Sequence, residues 1–266
     1  MTLAMTSRIL CERSPEHPGI ATVTLANPDK LNAINAAMWR ELKATMHTLD
    51  ADEALRCIVI RGAGNAFAAG GDIEEFLTER DTFERAQVYH GVWVAEALDS
   101  IVACRHPVVA LIQGACIGGG LEIAAQCDLR IAAESARLGA PIKKLGFTMA
   151  HSELVGLLAL AGPAVALELL LEGRIYSAQE AYSKGLLTRV VDDAAVVAEA
   201  YATAQRISTG APLVARSHKR LVRRLGEARP LDTDEVRENF AYLETEDYRE
   251  GLAAFIAKRV PKFTGH

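Results

Sequence analysis

The sequence predicts an α/β core followed by an all-helical tail, and three observations carry that reading. Short apolar runs rich in β-branched residues recur through the first two-thirds of the chain, each bounded by turn residues. Segments with helical spacing of apolar residues separate them, which implies strands paired at least partly in parallel. From Ser152 onward strand signals nearly vanish, apart from Arg189-Val190-Val191.

In chain order, Ile20-Ala21-Thr22-Val23-Thr24-Leu25 is the first strand-like run, and it stops at the turn signal Asn27-Pro28. Asn35 is placed to cap a helix whose apolar positions Met38, Leu42, Met46 and Leu49 share one face. Cys57-Ile58-Val59-Ile60 is a continuous apolar run ending at Gly62, as suits a strand buried on both faces. Val108-Val109-Ala110-Leu111-Ile112 repeats that design after Pro107, and Leu129-Arg130-Ile131-Ala132-Ala133 is a weaker third copy. The tail reads as helices over 153–160, 163–172, 178–184 and 193–208, with three more after Pro212. Pro163 suits a first helical turn, and Ser177 with Glu180 has the spacing of a capping box. A soft boundary near residue 200 separates a core (1–200) from a helical C-terminal region (201–266).

Half of the 266 residues are apolar and 24% are charged, a composition that excludes a disordered chain. The net charge of −5 has no long single-sign block. The nearest thing to a nucleic-acid footprint, His218-Lys219-Arg220 with Arg223-Arg224, is short and flanked by acids. The apolar run from Leu154 to Leu167 contains Gly and Pro and stops short of the roughly 20 residues a membrane span needs. The segment Met1 to Arg8 lacks the layout of a signal peptide. Five cysteines without a CxxC pair read as buried thiols in a reducing compartment. Seven histidines without HxxxH spacing give no expectation of a metal site. These readings describe a soluble cytoplasmic protein with no nucleic-acid or membrane partner.

Two glycine-rich loops carry the chemical signal. The first, Gly62-Ala63-Gly64-Asn65-Ala66-Phe67-Ala68-Ala69-Gly70-Gly71-Asp72-Ile73, leaves a buried strand, and its small residues let another molecule approach the backbone. Taken alone, it is equally a tight turn with Asp72 as a helix cap. Gly62-x-Gly64 superficially resembles a dinucleotide loop, but the third position of that fingerprint is Phe67. The second loop, Gln113-Gly114-Ala115-Cys116-Ile117-Gly118-Gly119-Gly120-Leu121-Glu122, again leaves a buried strand and opens a helix. Three glycines there present unpaired N–H donors at the positive end of a helix dipole. Each glycine costs about 0.5–1 kcal/mol relative to alanine in regular structure, so stability does not account for them. Glu122 is either a first-turn acid favoured by the dipole or a carboxylate beside an anion-stabilising pocket. Together the loops suggest two backbone N–H groups converging on one developing oxyanion, each worth about 3 kcal/mol. A neighbouring carboxylate would then move protons. This is chemistry for a thioester or another activated carbonyl.

These blocks are similar to those of the crotonase superfamily, the enoyl-CoA hydratase/isomerase group. The resemblance runs through Asn27-Pro28-Asp29-Lys30-Leu31-Asn32-Ala33-Ile34, both glycine loops and Cys127-Asp128-Leu129-Arg130-Ile131-Ala132. It continues through Gly173-Arg174, Ala178-x-Glu180-Ala181, Gly185-Leu186 and the ending from Glu250-Gly251 to Lys258-Arg259. It implies a spiral of ββα turns and a C-terminal helical region used for trimerisation, giving a homotrimer or homohexamer; Leu213, Leu221, Val222 and Leu225 would serve that contact. By the same resemblance the oxyanion amides are those of Gly71 and Gly119, and Glu122 is catalytic. Backbone around Lys30, Leu31, Ala33, Ala69, Asp72 and Ile73 would hold the CoA moiety, with Phe240 and Lys258 supplied by a neighbouring copy. Coenzyme A is then part of the acyl-CoA substrate, with no separate cofactor. The implied reaction is hydration/dehydration or double-bond isomerisation of an enoyl-CoA, in fatty-acid or related acyl-CoA metabolism.

The chain departs from that pattern at one informative place. Hydratases of the group carry a second glutamate after the proline of Arg137-Leu138-Gly139-Ala140-Pro141, and here that position is Ile142. The following loop, Gly146-Phe147-Thr148-Met149-Ala150-His151-Ser152-Glu153-Leu154, also differs from the usual Gly-Gly-Thr-x-Arg-Leu ending. Efficient hydration is therefore not expected unless His151 or Glu153 supplies the second group, and a helix start accounts for both residues without catalysis. On the single-acid reading, Ile142→Glu would raise water addition. Cys116 and Cys127 read as small buried residues, and Asp128 as a turn or cap acid. The competing function is a catalytically weakened relative that only binds CoA, with Ile142 marking lost chemistry. Retention of Glu122 and both glycine loops argues against it. The imperfect GxGxxG likewise argues against a nucleotide-dependent oxidoreductase.

Overall fold

The computed structural model describes residues 7–227 and 229–266; positions 1–6, part of the segment read against a signal peptide, lie outside them. The strands are β1 (Arg8–Arg13), β2 (Ile20–Ala26), β3 (Cys57–Gly62), β4 (Val108–Ile112), β5 (Ala115–Ile117), β6 (Leu129–Ala133), β7 (Arg137–Gly139), β8 (Ile175–Ser177) and β9 (Arg189–Val191). The helices are α1 (Ala36–Asp50), α2 (Phe76–Glu79), α3 (Phe83–Val88), α4 (Ala95–Ala103), α5 (Gly119–Gln126), α6 (His151–Glu172), α7 (Ala178–Ser183), α8 (Val196–Ser208), α9 (Pro212–Leu225), α10 (Thr233–Glu238) and α11 (Glu246–Ile256). A π-helical turn, Tyr89–Val94, joins α3 to α4.

Six strands form one sheet in the order β1-β2-β3-β4-β6-β9, antiparallel only at β1/β2. A second sheet, β5-β7-β8, lies alongside. The units β4-β5-α5 and β6-β7-α6 each run from the large sheet to the small one and then into a helix. Two earlier turns replace the second strand with single bridges, Ile34↔Gly71 and Ala68↔Cys116. The fold is thus the crotonase-type spiral of ββα turns, with helices at the C-terminal end.

The central strands are apolar on both faces because both faces are covered. Asn35 Oδ1 accepts from the Met38 amide at 2.9 Å, and α1 buries Met38, Trp39, Leu42, Met46 and Leu49. The other face meets α8, whose Val196, Ala200 and Ala204 pack on Ile20, Val59, Val109, Leu111 and Ile131. Residue 200 therefore sits in a helix docked on the sheet. The two helices predicted over 153–172 form on either side of Gly162, whose non-helical backbone (φ 73, ψ 172) breaks α6 just before Pro163. By length and composition α6 could cross a membrane, yet its Leu157, Ala166 and Leu169 are buried in the core.

Several details differ from the sequence reading. Edge strand β1 is mostly exposed, and β5, β7 and β8 are only three residues long, too short to give a hydrophobic pattern. Ser177 Oγ accepts from the Glu180 amide, but the Glu180 carboxylate turns to Arg174 at 2.8 Å, leaving the capping box half made. Only four of the cysteines are buried; Cys11 is exposed on the sheet edge. Asp128 does more than cap a turn. It accepts from the Val108 amide at 2.8 Å and pairs with Lys219 (3.0 Å) and Arg223 (2.8 Å), tying α9 to the core.

Candidate active site

The glycine loops after β3 and β4 touch. The Ile117 amide donates to Ala68 O at 2.9 Å, and the Ala68 amide to Ala115 O at 2.9 Å. Gly70 (φ 113) and Gly118 (φ 48) hold left-handed backbone that side chains disfavour. A Cβ on Gly120 would lie 2.5 Å from Ala68 O, and one on Gly119 would lie 3.5 Å from the Gly71 nitrogen. The second loop's glycines thus admit the first loop to direct backbone contact, which brings Gly71 and Gly119 together. Among the described residues neither of their amides has a hydrogen-bond acceptor. Gly119 is the first residue of α5, so its N–H lies at the positive end of that helix.

Gly71 and Gly119 both line a cavity of about 170 Å³, walled on its apolar side by Trp39, Val94, Ile142, Leu145 and Phe147. Glu122, in the first turn of α5, enters it with 8% of its surface exposed. Burial, and then the charge of Glu153, pushes the Glu122 carboxyl well above the usual carboxylate range. Glu153 enters the same cavity from the first turn of α6 and is 4% exposed. Its Oε2 accepts from the Ala150 amide at 3.0 Å, and its Oε1 lies 2.5 Å from His90 Nδ1. Two carboxylates from different helices therefore share one small cavity.

The sequence candidates divide as follows. Ala69, Gly71, Ile73, Gly119 and Glu122 line the cavity together, as does Ile142. Lys30, Leu31, Ala33 and Asp72 form a shoulder beside it. Leu31 O accepts from the Ala69 amide at 3.0 Å, and Lys30 Nζ bonds Asp72 (2.8 Å) and Glu74 (2.7 Å), which raises the Lys30 pKa. Buried Asn32 (φ 59) locks this shoulder to the first glycine loop, donating to Ala63 O at 2.8 Å and Ala66 O at 2.9 Å. Of the two candidates near α6, Glu153 reaches the cavity, whereas His151 is exposed and does not line it. Phe240 and Lys258 are exposed and away from the cavity; Phe240 borders a separate groove between α4 and α9.

Sequence reasoning missed Arg80 and His90. Arg80 Nη1 lies 2.8 Å from His90 Nε2, and its guanidinium carbon sits 3.7 Å from the Phe76 ring centre and 4.1 Å from that of Phe147. No local pattern marks either residue, because His90 and Glu153 are 63 positions apart and meet only through the fold. Tyr89 OH and Trp39 Nε1 belong to residues that also line this cavity, and both atoms are buried without a partner among the described residues. The arrangement places two backbone amides that have no acceptor among the described residues beside two carboxylates in one cavity.

Comparison with known proteins accords with this chemistry. The family model described as enoyl-CoA hydratase/isomerase matches residues 16–266. A Mycobacterium tuberculosis protein named a probable enoyl-CoA hydratase is 37% identical over 96% of this chain and 97% of its own. The short-chain-enoyl-CoA hydratase of Clostridium acetobutylicum is 32% identical, covering 90% of this chain and 92% of its own. Among solved structures, an enoyl-CoA hydratase/carnithine racemase from Magnetospirillum magneticum superposes with a TM-score of 0.94 at 48% identity, covering 97% of this chain and 96% of that one. Each of these matches covers nine-tenths or more of the chain, and the chain belongs to the enoyl-CoA hydratase/isomerase family of the crotonase superfamily.

Proposed function

We propose that the protein adds water to the double bond of a short enoyl-CoA and catalyses the reverse dehydration. The Gly71 and Gly119 amides would hold the thioester oxygen, and Glu122 and Glu153 would share the proton work. The observation that carries this reading is Glu153 beside Glu122 in one cavity. Water addition needs one group to take a proton from water and one to protonate Cα, whereas a double-bond shift can run on a single carboxylate. Ile142 removes the acid expected after Pro141, and Glu153 supplies one from α6. The cavity, at about 170 Å³, is smaller than the roughly 300–1,000 Å³ of drug-sized sites, which favours a short acyl group. Backbone around Lys30, Leu31, Ala33, Ala69, Asp72 and Ile73 would bind the CoA moiety, and exposed Val222, Leu225 and Phe255 suit a homotrimer or homohexamer contact in the cytoplasm. In such an assembly Phe240 and Lys258 would reach a neighbouring copy's CoA.

The test is turnover of a four-carbon enoyl-CoA in deuterated water, followed by mass spectrometry. Water addition is expected, with Glu122→Gln and Glu153→Gln each losing about 10²–10⁴-fold in kcat while still binding CoA. Exchange at Cα without water addition would make the protein an isomerase. Binding without either reaction would make it the CoA-binding relative.

A further inference from the structure

We propose that Arg80 and His90 are positioning residues that hold Glu153 as an oriented carboxylate, so that Glu153 takes the proton of water and Glu122 protonates Cα. The inference rests on the two-carboxylate reading above and assigns its halves.

A guanidinium has only donors and keeps its charge in proteins. With Arg80 Nη1 at 2.8 Å, His90 Nε2 must accept, so the imidazole is neutral and carries its hydrogen on Nδ1. That hydrogen points at Glu153 Oε1 across 2.5 Å, and the other oxygen accepts from the Ala150 amide at 3.0 Å. Both oxygens of Glu153 thus accept, as those of a carboxylate do, and each keeps a second lone pair that can take a proton. Glu122 has the opposite setting. Among the described residues no donor bonds it, and burial together with the Glu153 charge favours its neutral form.

The supporting parts are fixed for this purpose. Phe76 and Phe147 meet at 82°, and the Arg80 guanidinium sits in the corner between their faces. Among the described residues it has no carboxylate within ion-pair distance, so its recorded polar contact is His90. Ser152 Oγ donates to His90 O at 3.3 Å, fastening the π-turn to the start of α6 that carries Glu153. A partly buried cation without an acid partner is costly as a structural element. It makes sense as the anchor of a chain of hydrogen bonds that ends at the cavity.

In the forward step, the water oxygen bonds to Cβ while Glu153 takes the water proton. The π electrons move through Cα–C to the thioester oxygen between the two amides. The enolate then collapses as Glu122 gives its proton to Cα. The two carboxyl groups have exchanged charge states, and proton exchange with solvent resets them.

The experiment combines kinetics with ¹⁵N NMR of histidine-labelled protein, the His90 signals being assigned by their loss in His90→Ala. In the wild type, His90 is expected to carry its hydrogen on Nδ1, with an unprotonated Nε2. His90→Ala should lower kcat about 10–100-fold with KM within about twofold. His90→Asn, whose amide N–H can occupy the place of Nδ1–H, should recover most of kcat. Arg80→Met, which keeps the stem against the rings, should lower kcat and release the Nδ1–H preference. A merely structural role would lower stability and kcat together without rescue by asparagine. Wild-type hydration that Glu153→Gln abolishes but His90→Ala and Arg80→Met leave within twofold would overturn the inference and spare the proposed function, as would a hydrogen on Nε2. Absence of hydration in the wild type would instead overturn the proposed function, and the NMR result would still decide the tautomer.

Discussion

Gly120→Ala tests whether the contact between the two glycine loops sets the rate. The new Cβ would stand 2.5 Å from Ala68 O and 3.0 Å from Ala68 Cβ, so one loop must retreat by about 0.9 Å to reach the 3.4 Å of ordinary contact. Neither side is free to yield. Ala68 is fully buried and its carbonyl is already bonded to the Ile117 amide at 2.9 Å. The retreat separates Gly71, three residues beyond Ala68, from Gly119, the neighbour of the altered residue. A misplacement of about 1 Å in a preorganised site costs on the order of 100-fold in rate, matching the loss of roughly 3 kcal/mol from one oxyanion donor. Overpacking should also cost about 1–3 kcal/mol of stability. The assay is hydration of a four-carbon enoyl-CoA alongside urea unfolding. The expected result is a kcat lowered about 100-fold in a protein that remains folded. A variant that lost stability as stated yet kept kcat within twofold would refute the claim that loop spacing positions the amides.

Ile142→Glu should lower water addition, because Glu122 and Glu153 already occupy the cavity that Ile142 helps to wall. Crowding a third acid there reverses the gain expected from the sequence alone, and a raised kcat would show that Glu153 does not serve as the second acid. Asp128→Asn should cost about 2–3 kcal/mol in urea unfolding, somewhat below a fully buried pair because Asp128 is partly exposed, since it strands Lys219, whose side chain is 6% exposed; a change under 0.5 kcal/mol would contradict this. Thiol labelling of the native protein should modify Cys11 alone, faster as pH rises and above the ordinary thiol range because partial burial raises its pKa, while Cys57 and Cys127, both pushed up to about 12 by burial, wait for unfolding. His106 is buried and pushed down to about 4 by burial and the Arg216 charge, so the fold keeps it neutral while the unfolded chain protonates near 6.5. Its contribution is complete above about pH 6.5 and is lost as pH falls toward 4, by up to about 1.4 kcal/mol per unit; His106→Phe should flatten that slope between pH 6.5 and 5, and equal slopes would disprove the assignment.

Much of the spiral could be read from the chain because its strands are buried on both faces. Val108–Ile112 is a continuous apolar run, Leu129–Ala133 is broken only by Arg130, and each forms over the span expected. The glycine loops were legible for a related reason, since three glycines at a helix start have no stabilising purpose. The small sheet was not legible. Three-residue strands such as Ala115–Ile117 are set by the neighbours they pair with and not by any local period. From the sequence, Glu153 is an open alternative to His151 on adjacency alone. One residue of α6 turns inward and the other outward, and separating them requires the helix phase that only packing fixes. Arg80 and His90 left no trace, because an arginine in an acid-rich segment and a lone histidine in a π-turn have nothing local to distinguish them.

The position of the second carboxylate shows what the fold constrains and what it leaves open. The amides of Gly71 and Gly119 are products of the backbone path, set by bridges and glycine contacts that no side-chain change elsewhere can reproduce. An acid beside them has no such restriction. Any segment whose side chain reaches the cavity wall can supply it, and both the stretch after Pro141 and the first turn of α6 do so. Moving the acid from one to the other changes its surroundings more than its distance. After Pro141 the wall is apolar, with Ile142 and Leu145, and a carboxyl there would be pushed toward its neutral form. On α6 it meets the Ala150 amide at 3.0 Å and the His90 ring at 2.5 Å. On the proposed mechanism the substitution of element decides which acid holds the proton, and it falls to Glu122, the carboxyl in the cavity that no donor bonds among the described residues.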